Sequence, residues 1–246
     1  MNDKQRYFNE IALETIKEMT TDVEKWMAFL KTMSYNYTFT YPEQIMIFAQ
    51  RPNAILCKEF DEWRLEKQRY VKRGSKGIAL FANNGYRLYL RYVFDVADTG
   101  TRPNSLDLNE LWKLDEQHQG YIQELLENEF KIKENDLLNQ IPKVVSKLAD
   151  EYWHDFEHEF ADIVADSFLE EYDGYNKEVA FKRAVTVSAT YCVYLRCIEH
   201  PENYFENDDF MSIYEFNTRK AINALGTAVN SITTQVLKEV ELGIEQ

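Results

Sequence analysis

At 246 residues, with 45% apolar and 14% aromatic side chains, the chain is long enough for one large domain or two modest ones and too apolar to be intrinsically disordered as a whole. It has no apolar run of about 18 residues, and the N-terminal MNDKQRYFNEI lacks the apolar stretch of a secretory signal, so neither a membrane span nor export is expected. The formal charge of −14 is unevenly spread: residues 1–103 carry 16 Lys/Arg against 13 Asp/Glu, and residues 104–246 carry 12 against 29, so a surface that attracts phosphate belongs to the first part.

Residues 4–18 have Phe8, Ile11, Ala12 and Ile16 near helical spacing. Thr21 or Asp22 can cap a second helix presenting Val23, Trp26, Met27, Leu30 and Met33. Tyr35, Tyr37, Phe39 and Tyr41 then alternate with polar residues, which predicts a short extended segment. Pro42 suits the first turn of a helix through PEQIMIFAQ, and Pro52 ends it. Residues 54–57 read as a strand and 58–67 as a short helix with Phe60, Trp63 and Leu65. Residues 70–71, 77–81 and 86–96 read as strands, punctuated by Gly74 and Gly77 and by the hairpin signal Asn83-Asn84-Gly85. Past DTGTRPNS the pattern turns helical, over 106–114, 119–130, 136–138, 143–172, 176–199, 212–216 and 218–242.

The expected fold class is therefore α+β, a small antiparallel sheet with helices in residues 1–103 and a mainly helical, acidic part in 104–246. The stretch 99–105 is the natural linker between two such domains. The three cysteines, Cys57, Cys192 and Cys197, are odd in number and lack CxxC spacing, which predicts buried thiols in a reducing, cytoplasmic compartment.

Residues 51–81 concentrate the chemistry. Arg64, Lys67, Arg69, Lys72, Arg73 and Lys76 are interleaved with Trp63, Tyr70 and Phe81. Cations meet phosphates and aromatic faces stack unpaired bases, so this composition suits single-stranded nucleic acid. The run KRGSKG predicts a tight turn projecting three cations, with glycine permitting close backbone approach. An ordinary hairpin with a solvated tip and Trp63 in the core has the same composition, and Arg51 equally suits a helix C-terminus.

Trp26, Phe29-Leu30, YPEQIMIFAQRPNA, Phe60, Trp63 and YVKRGSKGIAL together resemble the N-terminal domain of the ArdC antirestriction family, over residues 20–96. GYRLYLRYVFDVADTGTRP, SFLEEYDGYNKEVAFKRA and FNTRKAINALGTAVNSITTQVLKEV extend the similarity. They look like the leading region of very large multidomain proteins of conjugative elements. The resemblance implies an anti-defence protein of a mobile genetic element that grips single-stranded DNA. It carries over Arg51, Trp63, Lys72, Arg73 and Lys76 as a binding surface rather than a catalytic site. Arg69 and Tyr70 join them from the composition of the segment, and no cofactor is expected.

Two further features point elsewhere. His154-Asp155-Phe156-Glu157-His158 is HxxEH, in which two His at i and i+4 with a Glu could serve a zinc hydrolase. The ArdC family has its own HExxH domain, but the order here is inverted and does not transfer. Leu148, Ala149, Tyr152, Phe156, Phe160 and Ile163 form the predicted apolar stripe, leaving His154 and His158 on the other face. The carboxylates at Glu124, Glu127, Glu129, Asp150, Glu151, Asp155, Glu157, Glu159 and Asp162 could mimic DNA phosphates toward a host defence nuclease or Cas protein, or simply keep the surface solvated.

Overall fold

A computed structural model describes residues 1–103, 105, 112 and 114–244. Its helices are α1 (Asp3–Met19), α2 (Val23–Tyr35), α3 (Tyr41–Gln50), α4 (Glu116–Phe130), α5 (Leu137–Ile163), α6 (Gly174–Cys197) and α7 (Arg219–Ile244). Its strands are β1 (Cys57–Glu59), β2 (Tyr70–Val71), β3 (Ile78–Asn83), β4 (Leu88–Asp95) and β5 (Thr99–Gly100). The fold is α+β: an antiparallel sheet in the order β1-β4-β3, a two-stranded β2-β5 ribbon, and helices on both sides of them in the chain.

The helices begin where the chain supplies caps. Asn2 and Gln5 form a capping box on α1, and Asp22, Asp115, Asp136 and Asp173 each accept a backbone N–H at the start of α2, α4, α5 and α6. Three sequence expectations are corrected. The predicted extended segment at 35–41 is instead the end of α2, a turn and the start of α3. Buried Asn36 stops α2 there: its Nδ2 donates to the Thr32 and Ala54 carbonyls, both at 3.1 Å, and its Oδ1 accepts from the Cys57 N–H at 3.0 Å. The aromatic alternation reflects tertiary contacts, since Tyr37 donates to Glu241 at 2.6 Å and the Tyr41 ring lies against α7 at Gly226, where a Cβ would come within 2.0 Å of it. The predicted helix over 58–67 is shorter: Phe60 and Asp61 lead into a π-helical turn, Glu62–Glu66, that carries the fully buried Trp63. The predicted break before residue 143 is absent, for α5 runs through Pro142. The helix expected at 106–114 lies largely outside the described residues.

Strand register sorts the sheet into two faces. Ile78, Leu80, Val93 and Cys57 pack beneath Met46 and Ile47 of α3. Ala79, Phe81, Leu90, Tyr92 and Phe94 share the opposite face, where Phe81, Leu90, Tyr92 and Phe94 are half-buried. Residue 103 divides charge but not packing. Trp26, Phe29, Leu30 and Met33 of α2 lie in one apolar core with Val185, Cys192, Ile222 and Val229 of α6 and α7. The Trp26 indole N–H donates to the Ser188 hydroxyl at 3.1 Å across that junction.

Candidate nucleic-acid interface

The turn between β2 and β3 is built by glycine chemistry. The Ser75 N–H donates to the Lys72 carbonyl at 3.1 Å, and Gly74 sits at φ +88°, the backbone of a type II turn with glycine in its third position. Arg73 is thereby carried at the apex. The turn is fastened to residues 97–98: the Lys72 N–H donates to the Asp98 carbonyl at 2.8 Å, Lys72 Nζ to the Ala97 carbonyl at 3.0 Å, and the Ser75 hydroxyl to the Asp98 carbonyl at 3.3 Å.

The seven residues expected at the site separate into a surface and a frame. Tyr70, Lys72, Arg73 and Lys76 are exposed. Arg73 and Lys76 make no hydrogen bond or ion pair among the described residues, and Lys72 touches only a backbone carbonyl, so all three charges face solvent without a carboxylate partner.

Trp63 and Arg69 are buried away from that surface, which corrects their expected role as ligand contacts, and Arg51 is half-buried and engaged with a carboxylate. Trp63 is fully buried, its Nε1–H donating to the Phe94 carbonyl at 2.8 Å, so no base can stack on it. Arg69 is buried, donating from Nε to the Thr99 hydroxyl at 2.9 Å. Arg51 forks onto the Asp98 carboxylate at 2.5 and 3.1 Å, with Asp95 at 3.8 Å, and its hydrogen bond with Asp98 raises its pKa further. Asp95 is itself locked by the N–H groups of Ile55, Leu56 and Ala97 at 2.7 to 3.1 Å. Arg51 thus neutralises the acid directly beneath the turn, where an unpaired carboxylate would repel phosphate.

Sequence reasoning missed several residues. Gln50 pairs its amide with both backbone groups of Ala79, at 2.8 and 2.9 Å, acting as a one-residue strand on the free edge of β3. Arg102, read as linker, places its guanidinium 5.9 Å from the Tyr70 ring centroid. Its Arg-Pro-Asn context signalled only a loop. Phe60 is exposed and meets Phe94 edge-on at 6.4 Å on the open sheet face. The expected cation Arg64 lies 3.8 Å from Asp61, and Arg91 is held between Glu43 and Glu59 at 2.5 and 2.6 Å.

His154, Glu157 and His158 lie exposed on α5, while Trp153 and Phe160 of the same helix turn into the core. Among the described residues no three His, Cys, Asp or Glu side chains converge to hold a metal. Also among the described residues, no helix is long and apolar enough to cross a membrane. The three thiols are free and buried, and burial pushes those of Cys192 and Cys197 up to about 12. No protein-family model, curated protein or solved structure matches the chain.

Proposed function

We propose that this protein binds single-stranded nucleic acid through the β2–β3 turn, acting by binding rather than catalysis. Lys72, Arg73 and Lys76 meet successive phosphates, while Tyr70 and Phe60 offer ring surface to bases. The observation that carries this reading is the set of three solvent-facing cations on a glycine turn whose underlying acid is already neutralised by Arg51. The ArdC resemblance adds the biological setting: a cytoplasmic anti-defence protein of a mobile genetic element that shields incoming single-stranded DNA.

The test is fluorescence anisotropy with a labelled oligo-dT strand and its duplex form, over a salt series, comparing the native chain with Lys72→Glu/Arg73→Glu/Lys76→Glu. Three phosphate contacts on a single strand give a log–log salt slope of about −2. Loss of binding in the triple variant is the expected result. An undetectable complex at low salt, or a variant that binds as well as the native chain, overturns the reading.

A second reading has one observation of its own. Phe168 and Tyr175 are 66% and 74% exposed beside the carboxylates of Glu170, Glu171 and Asp173, an acidic aromatic surface suited to a basic protein such as a defence nuclease. Inhibition of such an enzyme that survives the triple Glu substitution but is lost with Phe168→Ser/Tyr175→Ser would favour it.

A further inference from the structure

A cavity of about 390 Å³ lies between the end of α2, the loop that follows α3, the end of α6 and Trp112. That is within the range of small-molecule sites, roughly 300 to 1,000 Å³. Pro52, Ala54, Ile55 and Leu195 supply apolar wall, and no carboxylate lines the cavity among the described residues. Two cations do: Lys31, exposed at the rim, and Arg196, only 6% exposed.

Arg196 is the unusual member. A buried charge is ordinarily paired with an opposite one, because leaving water is expensive. Here no carboxylate forms an ion pair with the guanidinium among the described residues. Its compensation is made of rings and carbonyls. The Trp112 and Tyr35 centroids lie 4.1 and 5.1 Å from its Cζ, and its two Nη atoms donate to the Ser34 and Trp112 carbonyls at long distances of 3.3 and 3.2 Å. Guanidinium carries five N–H donors in a planar fork, and among the described residues only the two Nη atoms find an acceptor, Nε none. Burial lowers its pKa and outweighs the opposing pull of Tyr37, Tyr35 and the more distant Glu241 carboxylate.

We propose that this cavity binds a small planar organic acid, its flat apolar body against Pro52, Ile55 and Leu195 and its carboxylate on the guanidinium of Arg196. Arg196 itself is buried, where a charge-assisted bond is stronger than in water, and Lys31 at the rim draws anions to the mouth. The cavity shares no lining residue with the β2–β3 turn, and the proposal stands or falls independently of nucleic-acid binding.

The test uses two probes of nearly equal shape, 2-naphthoate and uncharged 2-naphthamide, titrated into the full chain by calorimetry with thermal unfolding as a second readout. The acid is expected to bind at least about tenfold tighter than the amide and to raise the melting temperature, the loss expected when a charge-assisted bond is removed. Arg196→Met should erase the preference. Because that variant also removes a link between α6 and the end of α2, Ile55→Trp provides a second check. Ile55 is 40% exposed at the cavity, and a bulkier side chain there should occlude it while leaving Arg196 intact. Equal affinity for both probes, no binding at millimolar concentration, or naphthoate affinity untouched by Ile55→Trp would each overturn the assignment.

Discussion

Gln50 and Arg51 stand next to each other and do different work from what a basic, polar pair suggests. Gln50 completes the backbone hydrogen bonding of Ala79, which is wholly buried. Gln50→Leu strands that donor and acceptor, so urea unfolding should show a loss of about 1 to 3 kcal/mol. Arg51 acts on the turn through Asp98, whereas Arg73 reaches outward. The salt slope of oligo-dT binding separates these roles. Arg73→Met should reduce its magnitude by about 0.7, while Arg51→Met should weaken binding and leave the slope unchanged. Glu43 gives a pH signature. Burial alone would raise its pKa, but the Arg91 hydrogen bond and those from Thr40 outweigh it and hold it below the ordinary carboxylate value. A folded pKa below the unfolded one means stability that is present above roughly pH 4.3 and lost as pH falls through the folded value. Glu43→Gln should therefore flatten the acid limb of the stability curve. At this scale the sequence exposed the turn chemistry, since Lys-Arg-Gly-Ser-Lys-Gly names its own geometry. It could not tell Arg73 from Arg51 or Arg69. All three are arginines in one basic stretch, and their difference is made by Asp98 and Thr99, which the fold brings beneath the turn from tens of residues away.

Among the elements, α5 departs most instructively from its pattern. Proline at position 142 lacks the N–H that would bond the Leu138 carbonyl, and its ring crowds that oxygen, which is the reason to expect a helix to end there. The structure meets the loss from another helix: the Tyr194 hydroxyl of α6 donates to the Leu138 carbonyl. Local pattern located the helix but not its extent, because the compensating group lies on α6. Tyr194→Phe should destabilise the protein by about 1 to 3 kcal/mol in urea unfolding, since it leaves that carbonyl unpaired. Restoring the N–H with Pro142→Ala should shrink the effect, giving a coupling of about 1 kcal/mol in the double-mutant cycle. Additive effects would show that the Tyr194 bond does not serve the proline gap. The strands β3 and β4 were the more legible elements, because glycine turns bound them. The strand expected at 54–57 instead forms at Cys57–Glu59, and Thr99–Gly100, expected to be linker, pairs with β2 as β5, since such short strands carry no alternation of their own.

For the whole molecule, charge and packing divide the chain differently. The basic excess ends near residue 103, and the turn that carries it projects from a small sheet. The apolar faces of α2 and α3, however, also need α6, α7 and the segment 207–216 to cover them. Trp26 bonds Ser188, the Cys192 thiol approaches the Leu30 carbonyl at 3.5 Å, Gln44 donates to Asn230 at 2.7 Å, and the Tyr41 ring lies against α7 at Gly226. Composition registers only the charge change, because an apolar helix face looks the same whether its cover comes from the next helix or from one 150 residues later. A fragment of residues 1–103 would uncover Trp26, Phe29, Leu30, Met33 and Tyr41 at once, an apolar surface that a soluble monomer does not tolerate. The full chain should unfold in urea as one transition, seen alike by tryptophan fluorescence and far-ultraviolet circular dichroism. The fragment should lack a cooperative transition and aggregate, even though it holds every residue of the basic turn. Its affinity for oligo-dT should then fall well below that of the full chain, because the turn's geometry depends on a core it no longer has. A fragment that unfolds cooperatively and binds DNA like the parent would show that the acidic helices are dispensable to the turn, and would make residue 103 a boundary of folding as well as of charge.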